Sequence, residues 1–316
     1  ENRGKKVVVV QGLGFVGAVM SLVCANSNSS DYAVIGVDLP NENSYWRIAS
    51  INEGVFPLIS SDKKVYKLFE ETKRKKNFYA TYDSFAYSKA DIIIIDINLD
   101  VIKKTDFYGN LIDFDIDMQP FKNAVVTIGQ NCKENVLILV ETTVPPGTTK
   151  NYIFPIIKTE LEKRKLSSKN FFLGHSYERV MPGPNYVDSI INFYRVFSGI
   201  NNLSAQKVKE FLESIIKTDE YPLTMLSNTN STEIAKVLEN SYRASNIAFM
   251  VEWTRFSEKA GVNIYEVIDA IKMRPTHNNM MYPGIGVGGY CLTKDPLLAY
   301  WSNSEIFNNS FDLEHS

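Results

Sequence analysis

The chain has 316 residues, more than one hydrophobic core usually organises, so we expect two domains. Its residues are 44% hydrophobic and 22% charged, a balance typical of globular proteins that excludes a disordered or collagen-like chain. The formal net charge of −2 provides no basic excess for nucleic acid or an anionic membrane. Cys24, Cys132 and Cys291 are too few and too scattered for a disulfide framework or a metal cluster, so we expect a cytoplasmic protein without metal.

The first element along the chain is a continuous apolar strand from Lys6 to Gln11, a pattern typical of parallel strands buried on both faces. It runs into the sequence GLGFVG, residues 12–17, and then into a helical stretch from Ala18 to Asn26. The glycines of a GxGxxG sequence allow a tight turn, the close approach of a pyrophosphate and close packing of helix on strand. The run also resembles a signal peptide or anchor, but its glycines and Gln11 disfavour a membrane helix.

A second strand, from Ala33 to Val37, ends at Asp38, about twenty residues beyond the last glycine. A carboxylate at this position can bind the ribose hydroxyls of NAD, and it repels the additional phosphate of NADP. The strand, the glycines and the acid together predict a dinucleotide-binding unit that takes NAD.

The remaining chain alternates strands and helices before it becomes helical. Further strands are predicted at 91–97, 136–141, 171–174 and 195–199, and helices at 61–74, 118–131, 148–165 and 205–217. This alternation predicts an α/β fold: an N-terminal Rossmann-like, doubly wound parallel sheet with its ligands at the carboxyl ends of the strands. We place this domain at 1–203 and an all-helical central domain with one long helix at 204–316.

The long helix is predicted from Thr232 to Ala260. Asn230 can cap it with Glu233 three residues on, and Gly261 can close it. One face of this helix carries polar residues at three- and four-residue intervals: Glu233, Lys236, Asn240 and Arg243. Such a stripe is more often a solvated surface than a site, and the spacing alone leaves both interpretations open.

Three further motifs carry chemistry. ETTVPPGT, residues 141–148, is a stiff turn after a strand, and SYERVMPG, residues 176–183, sets an acid beside a base before a proline. In GVGGYCLTKDP, residues 286–296, Cys291 follows paired glycines that release the backbone, so its side chain is expected to be presented rather than packed.

These motifs resemble, in order and over nearly the whole chain, the blocks of the UDP-glucose/GDP-mannose dehydrogenase family. The similar blocks are GLGFVG, VDLP, TTVPPGTT, YERVMPG, RVFSG, EIAKVLENSYRASNIAF and PGIGVGGYCLTKDP. The resemblance implies a cytoplasmic enzyme that oxidises the C6 hydroxyl of a nucleotide sugar to a carboxylate. The oxidation removes four electrons, reduces two NAD molecules and releases no aldehyde.

The resemblance also implies roles for individual residues. Cys291 would be the nucleophile that forms a thiohemiacetal and then a thioester, and Lys236 and Asn240 would stabilise oxyanion character. Asp295 would partner Lys236 or the hydrolytic water, and Glu178 would act as general base. Thr143 would lie beside the cofactor and the water.

The binding residues implied by the resemblance fall into two groups. Those for the cofactor are Gly12, Gly14, Phe15, Val16, Gly17, Asp38 and Thr143. Those for the substrate are Arg179, Lys236, Asn240, Arg274, Gly288 and Gly289, with Arg274 reaching the substrate of a neighbouring subunit. The role of His277 stays open between a helix-end contact and a substrate contact.

The chain departs from many relatives at residues 96–101, where they read Thr-Pro. Pro182 stands where the UDP-glucose branch tends to carry a second glutamate, which favours a UDP-N-acetylhexosamine as substrate. Family members also continue into a C-terminal nucleotide-binding domain, which the resemblance implies is absent from these 316 residues.

Two other functions stay open. One is a two-electron hydroxyacid dehydrogenase, which would share the NAD domain and a catalytic lysine but would have no use for a thiol. The other is a catalytically silent NAD-binding scaffold. In each case the length and mixed stripes of the central helix predict a homodimer.

Overall fold

The computed structural model describes residues 4–167 and 169–307, and the chain divides into two compact units. The first contains residues 1–99 and 117–233, and the second contains residues 100–116 and 234–316. This division differs from the expected single boundary at 203/204 in two ways. The first unit extends to residue 233, and residues 100–116 belong to the second unit. Residues 204–233 belong to the first unit because the helix Asn202–Ile215 packs on its sheet and the strand Thr224–Met225 pairs with that sheet.

Strands of the described residues are numbered along the chain. They are β1 (Lys6–Gln11), β2 (Tyr32–Val37), β3 (Phe78–Thr81), β4 (Ile92–Ile95), β5 (Ile102–Thr105), β6 (Leu111–Asp115), β7 (Leu137–Val140), β8 (Phe172–His175), β9 (Val196–Gly199) and β10 (Thr224–Met225). Eight of them form the sheet of the first unit in the order β10-β9-β8-β7-β4-β1-β2-β3. The predicted α/β class with a Rossmann-like parallel sheet is confirmed.

The β8–β9 pair departs from the parallel pattern. Gly174 pairs with Gly199, and His175 with Ser198, in antiparallel register. A parallel pair needs a crossover to the opposite end of the sheet. Residues 176–194 instead leave β8 at its carboxyl end and re-enter the sheet at that same end, so β9 runs in the reverse direction.

The helices of the first unit pack on this sheet. They are α1 (Phe15–Ala25), α2 (Tyr45–Asn52), α3 (Lys63–Lys75), α4 (Gln119–Asn131), α5 (Phe154–Lys163), α6 (Asp188–Ile191) and α7 (Asn202–Ile215). A π-helical turn, Thr149–Ile153, precedes α5. The central strands are apolar and inaccessible, as Val8 and Ile94 at 0% exposure illustrate, because both faces of a parallel sheet are covered.

The second unit is helical apart from one hairpin. Its helices are the larger part of α8 (Thr229–Lys259), α9 (Ile264–Lys272) and α10 (Tyr290–Glu305). The antiparallel strands β5 and β6 form the hairpin, which the sequence did not predict. None of the described helices has the length and apolarity that a membrane span requires.

The start of α8 differs from the predicted cap. Asn230 lies inside the helix, and the side chain of Asn228 instead accepts a hydrogen bond from the backbone N–H of Ser231 at 3.0 Å. An asparagine side chain that bonds the third residue of a helix is an N-cap. Asn228 is therefore the cap, and Glu233 is available for another partner. Gly261, at φ +70°, ends the segment as expected.

Candidate functional site

The glycine loop between β1 and α1 has the shape that a dinucleotide needs. Gly12 has φ +97°, and a Cβ there would lie 2.4 Å from the carbonyl oxygen of Asp96. A Cβ on Gly17 would lie 1.9 Å from the carbonyl oxygen of Gly12, so both positions require glycine. At Gly14, by contrast, no described atom lies within 4 Å of an added Cβ. The backbone is therefore open at the position where a phosphate approaches the first turn of α1.

Two further residues predicted for the cofactor, Phe15 and Val16, form the first turn of α1. Phe15 is 62% exposed and Val16 is half-buried, so neither belongs to the inaccessible core. Their backbone N–H groups belong to the helix end that carries partial positive charge.

Asp38 directly follows β2 and lines a cavity of about 600 Å³. Its carboxylate accepts hydrogen bonds from the backbone N–H groups of Leu13 at 3.1 Å and Leu39 at 2.8 Å. Arg47 lies 3.5 Å from the same carboxylate. The cavity also contacts Gly12, Gly14 and Asp96, so the acid and the glycine loop share one site.

A charge-removing variant tests this site. Asp38→Asn keeps the side-chain shape but loses the charge, so we expect NAD affinity to fall about tenfold and the preference for NAD over NADP to narrow. Calorimetric titration with each dinucleotide measures both effects. Asp31→Asn is the control, because Asp31 pairs with Lys5 near the start of β2. Unchanged NAD affinity in Asp38→Asn would remove Asp38 from the cofactor site.

Buried charges meet where three strands of the first unit begin or end. Glu141 follows β7, Arg195 precedes β9, and their side chains form an ion pair at 0% and 1% exposure. Asp96 follows β4, and burial raises its pKa, with repulsion from Glu141 and Glu178 adding to the rise. One guanidinium thus serves two buried carboxyls, Asp96 and Glu141, which favours a proton on one of them.

The motif residues of the first unit lie around this buried charge. Thr143 is half-buried, two residues after Glu141. Glu178 is half-buried, and its carboxylate accepts a hydrogen bond from the backbone N–H of Val180. Arg179 donates to the carbonyl oxygen of Tyr194 at 2.8 Å, and its guanidinium lies over aromatic rings.

Glu233 belongs to the polar stripe for which the sequence left a solvated surface and a site open. Its side chain is buried, at 1% exposure. Its carboxylate accepts hydrogen bonds from the backbone N–H groups of Gly147 at 2.6 Å and Thr149 at 2.8 Å. These donors lie where the TTVPPGT turn becomes a helix. Burial raises the pKa of Glu233 to about 7, and the hydrogen bonds oppose that rise. Glu233 is therefore the residue that fixes the TTVPPGT turn to the start of α8.

The raised pKa makes a pH-dependent prediction. Between pH 4.5 and about 7 the folded chain holds a proton on Glu233 that the unfolded chain has lost. Stability therefore falls as pH rises through this window. We expect the free energy of unfolding of the wild type, relative to Glu233→Gln, to decline across it and then to level off. Urea denaturation of both proteins measures this difference, and a difference independent of pH would contradict the assignment.

In the second unit, the predicted polar stripe is buried at Lys236, half-buried at Asn240 and exposed at Arg243. Lys236 is 9% exposed, and Asn240 follows one turn later. The Asn240 amide donates to the carboxylate of Asp295, itself 0% exposed, at 2.6 Å. Lys294 lies 3.7 Å from the other carboxylate oxygen. The structure thus brings together Asn240 and Asp295, two of the residues predicted for catalysis.

Cys291 lies in the first turn of α10, one turn before Asp295, and its side chain is exposed. Gly288 and Gly289 precede it and are exposed. Cys24 and Cys132 are buried, and burial raises the pKa of both thiols, as expected for packed residues. Among the cysteines, Cys291 alone is therefore presented to solvent, as the glycines predict.

Arg274 and His277 lie in a short exposed segment of the second unit. The backbone of Arg274 precedes the 3₁₀ turn Pro275–His277, and its side chain is exposed. One ring nitrogen of His277 lies 2.9 Å from the hydroxyl of Thr276. These local contacts do not test a substrate role. The role of Arg274 therefore stays a prediction, and the role of His277 stays open.

Sequence reasoning missed Asp96, Glu141, Arg195 and the role of Glu233. Asp96 and Glu141 each follow a run of buried aliphatic residues at a strand's carboxyl end, where ligands of parallel sheets bind. That position was a usable signal for both acids. The ion pair of Glu141 with Arg195, whose charge also acts on Asp96, depends on the reversed direction of β9, which the sequence pattern does not reveal.

Comparison with known proteins matches two consecutive segments of the chain, and residues 100–116 of the second unit fall within the first segment. Residues 5–220 match the NAD binding domain of the UDP-glucose/GDP-mannose dehydrogenase family, and residues 230–310 match the family's central domain. The UDP-N-acetyl-D-mannosamine dehydrogenase of Methanococcus vannielii is 31% identical over 312 residues, which cover 98% of this chain and 64% of that protein. The enzyme of the same name from Pyrococcus horikoshii is 29% identical over 302 residues, covering 95% and 65%.

A solved structure of UDP-D-ManNAc dehydrogenase from Pyrococcus horikoshii matches with a TM-score of 0.78 and 26% identity. The match covers 96% of this chain and 65% of that one. The chain therefore spans less than two thirds of the length of these relatives.

Proposed function

The chain belongs to the UDP-glucose/GDP-mannose dehydrogenase family, and we propose that it catalyses the NAD-dependent, four-electron oxidation of the C6 hydroxyl of a nucleotide sugar. The observation that carries this proposal is the exposed Cys291 in the first turn of α10. It follows Gly286, Gly288 and Gly289, where no described atom lies within 4 Å of an added Cβ. An exposed thiol at a helix start is suited to covalent catalysis.

The first unit would hold the cofactor. Gly12, Gly14 and Gly17 shape the phosphate loop, and Asp38 provides acceptors for ribose hydroxyls. The open backbone at Gly14 and the cavity of about 600 Å³ fit a dinucleotide. When bound, NAD supplies the hydride acceptor for each two-electron step. We assign Phe15, Val16 and Thr143 to the same site by the family resemblance.

The second unit would perform the covalent chemistry. The Cys291 thiolate adds to the C6 aldehyde, which forms a carbon–sulfur bond and an alkoxide that Lys236 and Asn240 stabilise. Loss of hydride from this thiohemiacetal gives a thioester. Water then attacks the thioester carbonyl, the carbon–sulfur bond breaks, and the products are a carboxylate and the free thiol. The buried Asp295 orients the Asn240 amide at 2.6 Å.

Glu178 and Arg179 receive their roles from the family resemblance. A half-buried carboxylate can take a proton from the attacking water, and we assign this role to Glu178. Arg179 would bind substrate, as would Gly288, Gly289 and Arg274, the last of these toward a neighbouring subunit.

We propose a UDP-N-acetylhexosamine as substrate, with UDP-N-acetyl-D-mannosamine as the first candidate. Pro182 supports the choice of branch, and the names of the relatives from Methanococcus vannielii and Pyrococcus horikoshii support the sugar. The pathway class would be the synthesis of a surface polysaccharide. We place the enzyme in the cytoplasm, since its sparse cysteines suit a reducing compartment.

The deciding experiment is NADH formed per sugar consumed. The panel is UDP-glucose, UDP-N-acetylglucosamine, UDP-N-acetylmannosamine, UDP-N-acetylgalactosamine and GDP-mannose. We expect two NADH per sugar with a UDP-N-acetylhexosamine, because both oxidations occur before release. One NADH per sugar would contradict the four-electron reaction, and silence on all five would contradict the proposed activity of this chain while leaving NAD binding intact.

We also propose a homodimer formed through α8. Large apolar side chains are 47–62% exposed along this helix at mostly three-, four- and seven-residue intervals: Ile234, Leu238, Tyr242, Phe249, Trp253 and Phe256. Such a stripe is suited to burial against a partner. Light scattering should give twice the monomer mass of 35.8 kDa, and a monomeric mass would overturn the proposal.

A further inference from the structure

The glycine-rich approach to Cys291 offers no side chain at Gly286, Gly288 and Gly289 that could pack against the start of α10. Among the described residues, no atom lies within 4 Å of a Cβ added at Gly286, Gly288 or Gly289. Gly289 is also the N-cap, so it has no side chain to bond the first turn. Contacts made elsewhere on α10 therefore contribute to the position of Cys291.

The β5–β6 hairpin of the same unit makes such contacts on both sides of Cys291. Lys103 of β5 donates a hydrogen bond from Nζ to Thr293 Oγ1 at 2.9 Å. The Thr293 hydroxyl donates in turn to the carbonyl oxygen of Gly289 at 2.9 Å. One residue before Cys291, the Tyr290 hydroxyl donates to the carboxylate of Asp100. The hairpin and Asp100, two residues before β5, thus bond residues on both sides of the cysteine and, through Thr293, reach the helix cap.

A third contact lies farther along α10, where the rings of Phe114 and Tyr300 meet edge to face with centroids 5.6 Å apart. Positions 290, 293 and 300 are spaced by three and seven residues, so they share one face of the helix. That face is the one toward the hairpin.

A different face of α10 is buried and includes Asp295, Leu298 and Ser302. Cys291 precedes these residues by four, seven and eleven positions, so it lies on their face. Asp295 connects that face to α8 through Asn240. The helix that carries Cys291 is therefore held from two directions, by α8 on the cysteine's face and by the hairpin on another.

We propose that the β5–β6 hairpin positions Cys291 for reaction, with Lys103 and Asp100 as positioning residues that act through Thr293 and Tyr290. The inference rests on the proposed function in one respect: it takes Cys291 as the nucleophile. It adds a role for a distant segment of the chain, because Lys103 and Thr293, and likewise Asp100 and Tyr290, are 190 residues apart in sequence.

The bonds that make this contact are exposed at the surface, which makes them suitable for mutation. An exposed hydrogen bond contributes little net free energy, because water replaces the lost partner. The variants Lys103→Met and Thr293→Val should therefore fold normally while the first turn of α10 loses its outside support.

The experiment compares these two variants with the matched control Lys104→Met. Lys104 is the next residue of β5, so its side chain lies on the face opposite to that of Lys103. We expect kcat of Lys103→Met and Thr293→Val to fall about tenfold, because a small displacement of a nucleophile is costly. The KM for NAD should stay unchanged. Lys103→Arg and Thr293→Ser keep a donor and a hydroxyl, so they should restore kcat.

Hydrogen exchange of the wild type and the same variants provides a readout that needs no turnover. The backbone amides of 291–294 should exchange faster in Lys103→Met than in Lys104→Met. Equal exchange and equal kcat in these two variants would overturn the proposal. Failure of the proposed function is distinguishable, because a fully active Cys291→Ala would refute the nucleophile while the exchange data still decide whether the hairpin holds α10.

Discussion

Cys291→Ala is expected to lower sugar-acid formation by at least about 10⁴-fold, because no other group replaces the sulfur in the covalent adduct. The aldehyde cannot lose a second hydride until it becomes tetrahedral, and the thiohemiacetal provides that geometry. The measurement is the rate of NADH and carboxylate formation on the sugar that the wild type oxidises, with NAD affinity determined in parallel. Affinity for NAD should be unchanged.

Cys132→Ala is the matched control. Cys132 is buried at the end of α4, and burial raises the pKa of its thiol, so it remains protonated. Its replacement should leave the rate within about twofold of the wild type, since a distant core substitution acts mainly on stability. A thiol alkylator should label Cys291 before Cys24 and Cys132, and labelling should abolish activity at the same rate.

The alternative functions predict different results. A two-electron hydroxyacid dehydrogenase would keep its rate in Cys291→Ala, because it needs no thiol. A silent NAD-binding scaffold would bind the cofactor but form no NADH, and its three cysteines would react slowly and alike. Retained activity in Cys291→Ala would therefore exclude the four-electron mechanism proposed for this chain.

The first two strands were predictable nearly to the residue, whereas α1 begins at Phe15, three residues before the predicted start at Ala18. Lys6–Gln11 matches β1, and Ala33–Val37 matches β2 apart from one residue. Buried parallel strands carry an unbroken apolar run, and the glycines between strand and helix leave few other conformations. The local sequence and the tertiary fold agree here, which is why the prediction succeeded.

The hairpin and the start of α8 were not predictable for the opposite reason. Ile102–Thr105 is fully exposed and mixes apolar with basic residues, so it has no buried face to reveal a strand. At α8, Asn228 and Asn230 are equally good caps by type, and Glu233 turns instead to Gly147 and Thr149. Partners 84 to 86 residues away decide that geometry.

The residues of the candidate site also differ in how far the sequence reveals them. The residues that a motif presents directly, such as Asp38 and Cys291, can be proposed from sequence. The buried group of Asp96, Glu141 and Arg195 cannot be, because its members meet only after three strands are aligned. Charge burial of this kind is a property of the assembled sheet.

Arg195→Met is expected to lower the free energy of unfolding by about 3–5 kcal/mol, the cost of removing one partner from a buried ion pair. Glu141 would remain at 0% exposure without the guanidinium that opposes the rise of its pKa. Asp96 would lose the same support. Urea denaturation at neutral pH measures the loss, and Arg74→Met, at an exposed pair with Glu71, should leave the urea midpoint unchanged.

The pH dependence and a double variant identify the cause of that loss. Without Arg195, both carboxyls bind protons more tightly when folded than when unfolded, so stability falls as pH rises above their unfolded values. The deficit of Arg195→Met should therefore shrink in acid. Arg195→Met/Glu141→Gln should recover part of the stability at neutral pH, because it removes the stranded charge. A deficit that is equal at all pH values and in the double variant would point to lost packing by the arginine side chain instead of to stranded charge.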